Sequence, residues 1–216
     1  MASVLFGFRT SKAAHFHSAE VYWECLTSGP DAGKFKFYVI IYKDCSSSTA
    51  VDPPQLNANV PTFGSLGLTL SAGFPQDVTP DERGFSCADG IQDLSLEKYQ
   101  FESDPVTIPG PPPASGYTFY YEPCCRIAAD NLVDSEFEVT YYAVTMYPYN
   151  NQNTDPCFDS SPQFAEPPNS IQCSGYQMRY NSNAIDPDLD SLTYQLTDAL
   201  VGGGIAAEYE PGFSPT

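Results

Sequence analysis

The part of this sequence richest in chemistry is Asp186-Pro187-Asp188-Leu189-Asp190. Carboxylates at i, i+2 and i+4 of a tight loop can turn onto one hard cation, as they do in calcium loops. The loop is not an EF-hand. Counting from Asp186, the sixth position is Ser191 rather than glycine and the twelfth is Thr197 rather than a bidentate glutamate. A second reading is a solvated acidic turn in which Asp186 and Asp190 bond the local backbone. Both readings stand at this point, and calcium is the one cofactor the sequence nominates, through Asp186, Asp188 and Asp190.

The sulfur atoms come next. Cys25, Cys45, Cys87, Cys124, Cys125, Cys157 and Cys173 include no C-x-x-C pair, and only His15 and His17 could complete a zinc site. A disulfide framework in an oxidising, extracellular compartment accounts for them better than metal does. All seven are disulfide candidates, and the odd number leaves one free or paired outside the chain. Neighbouring residues of a strand face opposite ways, so Cys124 and Cys125 are expected to take different partners. His15 and His17 share a strand face but lie near a chain end, where short polar segments are commonly disordered. Catalytic motifs are missing: there is no G-x-S-x-G, H-E-x-x-H, P-loop or G-x-G-x-x-G. Acid pairs abound, yet nothing selects one pair from 27 acids. The expectation is a protein that is not an enzyme.

Charge narrows the partners. With 27 acidic against 9 basic side chains the net charge is −18. Such a polyanion will not hold nucleic acid or an anionic membrane by charge. No apolar run approaches the roughly 20 residues of a membrane span. The apolar stretch Val4-Leu5-Phe6-Gly7-Phe8 is too short for a secretory signal, so export implies a signal already removed.

The elements that must position these groups read as strands. Tyr and Phe number 15 and 14, and Pro and Gly 20 and 15. Aromatics suit a pleated, half-buried surface, and Pro and Gly suit the turns between strands. Residues 34–44 form the clearest strand, with Phe35, Phe37, Val39 and Ile41 on one face and Lys34, Lys36, Tyr38, Ile40 and Tyr42 on the other. Residues 20–27 precede it as a hairpin partner. Residues 66–71, 98–108 (broken at Pro105), 117–121 and 136–147 are further strands. Residues 51–61 and 79–90 read as loops, the second carrying Cys87 as a staple. Short helical turns fit only 91–97 and 125–133. Proline-rich residues 148–168 read as a linker region, followed by short strands at 170–173, 176–181 and 191–197 and a loop at Gly202-Gly203-Gly204. The pattern Tyr-x-x-Cys recurs at Tyr22/Cys25, Tyr42/Cys45 and Tyr121/Cys124, sending ring and sulfur to opposite faces.

Several of these segments, in order, resemble the opening of large secreted cell-surface proteins of Bacteroidetes, the gliding-motility-associated, adhesin-like type exported by the type IX route. Val21-Tyr22-Trp23-Glu24-Cys25 is similar to that family's "IYWEC" strand, and residues 35–45 to its "YRFTLKIYRDC" strand. Residues 120–126 resemble "YQRCCRN", residues 158–164 "NSSPVF", and residues 186–194 "DPDGDSLVY". The resemblance covers roughly residues 15 to 216. It implies a multidomain surface protein linked with gliding and adhesion. Three departures accompany it. The family has glycine where Leu189 stands. It carries a cysteine near Thr197, which would leave Cys173 without its usual partner here. It continues into further strands beyond residues 211–214.

The expected architecture is all-β: a flexible segment over 1–12, a β-sandwich over 13–149, a linker over 150–157, and a partial immunoglobulin- or cadherin-like module over 158–216. The expected role is structural or adhesive at a bacterial cell surface. A filament built by strand exchange is the expected assembly, with Val4, Leu5, Phe6 and Phe8 as the donor residues. Partners are then other copies or other surface proteins. The alternative is a carbohydrate-binding module, which calls for exposed aromatics beside Trp23.

Overall fold

The computed structural model describes residues 16–45, 47, 50–61, 63–80, 84, 86–89, 95–124, 126, 129–133, 139–148, 157, 159–168 and 183–214. The chain is all-β, built from antiparallel ladders. Two sheets make up its body. The first has β1 (Phe16–Cys25), β2 (Phe35–Asp44), β7 (Leu96–Glu102) and β5 (Thr69–Leu70) in the order β1-β2-β7-β5, with β6 (Gln76–Asp77) also on β7. The second runs β4-β3-β8-β9, from β4 (Leu66–Gly67), β3 (Gln55–Ala58), β8 (Tyr117–Tyr121) and β9 (Tyr142–Met146).

The two sheets are held face to face by alternation along β2. Phe35, Phe37, Val39 and Ile41 point into a core shared with Trp23 of β1, Phe101 of β7, Leu56 of β3, Phe119 of β8 and Met146 of β9. The Phe37 and Phe119 rings meet across the gap at 4.3 Å between centroids. The opposite face of β2 is buried too: Tyr38, Ile40 and Tyr42 cluster with Tyr22, whose ring stacks on Tyr38 at 4.7 Å. Both faces of the hairpin therefore carry apolar load, which is why this central strand has hydrophobic residues at almost every position. Gly116 opens β8 at φ 78, and an added Cβ there would strike the Thr145 methyl of β9. Only glycine meets both conditions.

The expected faces of residues 35–42 match the two clusters, and 117–121 is a strand with the same bounds. Three expectations need correction. Residues 55–58, read as loop, form β3 inside the second sheet; Asn59 secures it, accepting from the Thr118 N–H through Oδ1 (2.7 Å) and donating its own N–H to the Thr118 carbonyl (3.0 Å). Leu96 and Glu97, at the end of the expected helical turn over 91–97, belong to β7, while residues 91–94 lie outside the described residues; a 3₁₀ turn lies instead at Cys87–Asp89. Residues 191–197 have a strand pattern but join no ladder among the described residues, and Tyr194 and Leu196 stay exposed. The expected strands at 170–173 and 176–181 lie outside the described residues.

The region beyond 157 contributes small ladders. β10 (Gln163–Phe164) pairs with β11 (Ala184–Ile185), and β12 (Leu200–Val201) with β13 (Ile205–Ala206) around the turn at Gly202–Gly204. The second hairpin lies against Glu122, Arg126, Val139 and Tyr141. Tyr141 donates its N–H to Leu200 O, Gly202 to Val139 O and Gly203 to the Glu122 carboxylate, while Arg126 reaches Leu200 O at 3.1 Å.

Glu20 of β1 sits on the outer face of the first sheet. Burial pushes its carboxyl up to about 7, opposed by the Lys98 ammonium and a hydrogen bond from Tyr42. Its folded pKa lies above its unfolded value, so the folded state holds the proton more tightly. The charged carboxylate thus costs stability above pH 7, and that cost is relieved as pH falls toward the unfolded value near 4.5. Glu20→Gln should raise the melting temperature at pH 8 and leave it nearly unchanged at pH 4.5, as measured by circular dichroism melts across that range.

Candidate functional site

The site is built on the free edge of β1. On its other side β1 pairs with β2, with Trp23 opposite Phe37 and Cys25 opposite Phe35. The outward amides at Trp23 and Cys25 are met by Ser161 and Ser160. Trp23 N–H donates to Ser161 Oγ (2.8 Å) and Ser161 N–H returns to the Trp23 carbonyl (3.0 Å). Cys25 N–H donates to Ser160 Oγ at 3.2 Å, and the Trp23 indole N–H to the Asp159 carbonyl at 3.2 Å. A Cys25–Cys157 disulfide closes the arrangement over a separation of 132 residues. Ser160 and Ser161 are buried. Short polar side chains thus occupy an edge that would otherwise invite another strand.

The aspartate loop hangs from this segment. Ser160 N–H donates to Asp188 Oδ2 at 2.6 Å. Asp186 is buried, and its Oδ1 accepts the N–H groups of Asp188 (2.9 Å) and Asp190 (3.1 Å). The loop therefore brings Asp186, Asp188 and Asp190 together and adds Asp159, which the sequence reading missed. Burial, then the charges of Asp188, Asp186 and Asp190, push the Asp159 carboxyl up to about 7. Residues 158–164 had drawn notice only through their resemblance, and no local pattern marks Ser160 and Ser161 as caps of a distant strand edge.

Four carboxylates in one place form an all-oxygen set of the kind calcium takes. Their spacing in this conformation is that of a hydrogen-bonded turn: no three of them bring ligand atoms within 4.8 Å of one another. Cys45, Cys87 and Glu97 do lie that close, but the two sulfurs are joined to each other as a disulfide, which confirms Cys87 as a staple. Cys124 is also disulfide-bonded. Cys125, Cys173, His15 and the proposed donor residues Val4, Leu5, Phe6 and Phe8 lie outside the described residues. His17 is half-buried in β1.

A cleft of about 350 Å³ opens at one end of the sandwich, lined by residues including Phe16, Lys43, Asp52, Tyr121 and Glu122. Burial, with Tyr142 and Asp52 nearby, pushes the Tyr121 hydroxyl up to about 12, so at neutral pH it stays protonated and is not a base. Among the described residues no exposed aromatic platform of the kind carbohydrate binding calls for lies beside Trp23: Trp23 is 2% exposed, and Tyr22 and Tyr38 are buried. Among the described residues no helix is long and apolar enough to cross a membrane. No family model, curated protein or solved structure matches this chain.

Leu189 exposes a local strain. It holds φ 66 and is 90% exposed. The left-handed region disfavours a residue with a Cβ, and here no packing offsets that. Leu189→Gly should stabilise the protein by about 0.5–1 kcal/mol, net of the larger chain entropy of glycine. Urea denaturation with an unchanged m-value measures this.

Proposed function

We propose that this chain is an extracellular structural or adhesive module of a bacterial cell surface, acting through protein contacts and self-association rather than catalysis. The observation that carries the reading is the oxidised clamp at Cys25–Cys157, supported by the Cys45–Cys87 bridge. Such bridges persist in oxidising compartments and are rare in reducing ones. The ordered resemblance to Bacteroidetes surface proteins supports the same compartment, and the charge of −18 suits a soluble exterior protein. Carbohydrate binding is the weaker alternative, because the aromatic side chains around Trp23 are spent on packing. Strand exchange through Val4, Leu5, Phe6 and Phe8 belongs to the same reading as a route to filaments.

Calcium enters this proposal as a weak ligand of the loop at Asp186, Asp188 and Asp190. Its carboxylates are already engaged with backbone N–H groups, so binding competes with those bonds. Affinity should fall in the range of extracellular modules, about 0.1–1 mM.

Two experiments test these statements. Labelling intact cells of the source bacterium with a membrane-impermeant amine reagent should modify this protein without lysis; modification only after lysis would refute the surface assignment. Millimolar calcium should raise the melting temperature relative to a chelator, and Asp188→Asn should abolish that rise. Identical melts in calcium and chelator would leave the loop as a hydrogen-bonded turn alone.

A further inference from the structure

Residues 189–199 run with no turn, bend or bridge between the aspartate loop and β12. Among the described residues, no backbone–backbone hydrogen bond is made from Ser191 to Asp198. The composition is that of a strand: Leu192, Tyr194 and Leu196 alternate with Thr193, Gln195 and Thr197. Tyr194 is 58% exposed and Leu196 75%, while Leu192 is half-buried, so two of the three apolar members of the alternation are largely in solvent. The run is nonetheless fastened at its centre and end. The Ala184 N–H donates to the Tyr194 hydroxyl at 3.1 Å, and the Ala207 N–H to the Ala199 carbonyl at 2.8 Å. It is a held segment without turn or bend, with strand chemistry and no backbone–backbone bond over 191–198 among the described residues, and such an edge is a template for another chain.

The sequence says which chain fits. Read outward from Tyr194, the residues are polar, apolar and polar in both directions: Thr193 and Gln195, Leu192 and Leu196, Ser191 and Thr197. We infer that residues 191–197 are a self-pairing strand, joining antiparallel to the same residues of a second copy about a two-fold axis through Tyr194. In that register Tyr194 faces Tyr194, Leu192 faces Leu196, and Thr193 faces Gln195. One surface serves both partners, as a two-fold contact requires. Cross-strand aromatic and aliphatic pairs are the unit that stabilises such a ladder. The same register sets Asp190 opposite Asp198 at both ends, and like charges directly opposite oppose pairing. The contact should therefore be weak at low ionic strength and tighten as salt screens those ends.

This inference rests on the self-association reading above but names a different surface from residues 4–8, so the two can fail separately. Sedimentation velocity of the whole chain should show a dimer fraction that rises several-fold from roughly 20 mM to roughly 500 mM salt. Leu196→Asp should abolish that dimer without lowering the melting temperature, since the side chain it replaces is exposed. Cysteine scanning then fixes the register. Relative to the parent chain, Tyr194→Cys should form a homodimeric disulfide, Leu192→Cys and Leu196→Cys should each form none, and a mixture of those two should form the heterodimer. If the chain dimerises but Leu196→Asp dimerises equally, or Tyr194→Cys fails to cross-link, this strand is not the contact, while self-association survives through another surface. If no dimer forms at any salt, both this inference and the self-association reading fall.

Discussion

The tail of this protein depends on how one sheet edge is finished. Strand β1 is an edge of the first sheet, and its outward N–H and C=O groups at Trp23 and Cys25 need partners. Cys157 and residues 159–161 supply them with two serine hydroxyls, one backbone amide, a carbonyl for the indole and a disulfide. Leaving a buried donor unsatisfied costs about 1–3 kcal/mol, so the edge and the segment are mutually obligatory. The same segment then turns its Ser160 amide onto Asp188, which sets the position of the aspartate loop. Removing the clamp would therefore disturb the acidic loop although no aspartate had changed.

The clamp sits on a hairpin that is packed on both faces. Strand β2 is buried on both faces, against the second sheet on one side and within the tyrosine cluster on the other. Trp23 is fixed between Phe119 and the backbone of 159–161, so its indole serves packing and hydrogen bonding at once. An aromatic held in this way is unavailable to a ligand. Sequence alone suggested that Trp23 could serve a sugar; burial decides what it does.

What was legible in the sequence follows the strength of the local pattern. Residues 35–42 alternate over a full strand, and both faces could be assigned because each repeats an apolar type at period two. Cys87 was legible as a staple because it interrupts a polar loop. Strand β3 was not, because its one fully buried side chain, Leu56, sits among Gln55, Asn57 and Asn59, and its pairing comes from neighbours distant in sequence. Residues 191–197 misled in the opposite sense: they carry strand chemistry without a sheet to join among the described residues. At the candidate site, Asp186, Asp188 and Asp190 were visible by spacing. Asp159, Ser160 and Ser161 were not, since their role depends on a contact more than 130 residues away.

The clamp between Cys25 and Cys157 is the central claim, and its chemistry can be read directly. Proteolysis of the unreduced protein after blocking free thiols, followed by mass spectrometry, should yield one linked pair of peptides containing Cys25 and Cys157 and another containing Cys45 and Cys87. Recovery of Cys157 as a blocked thiol, or linked to any cysteine other than Cys25, would contradict the account.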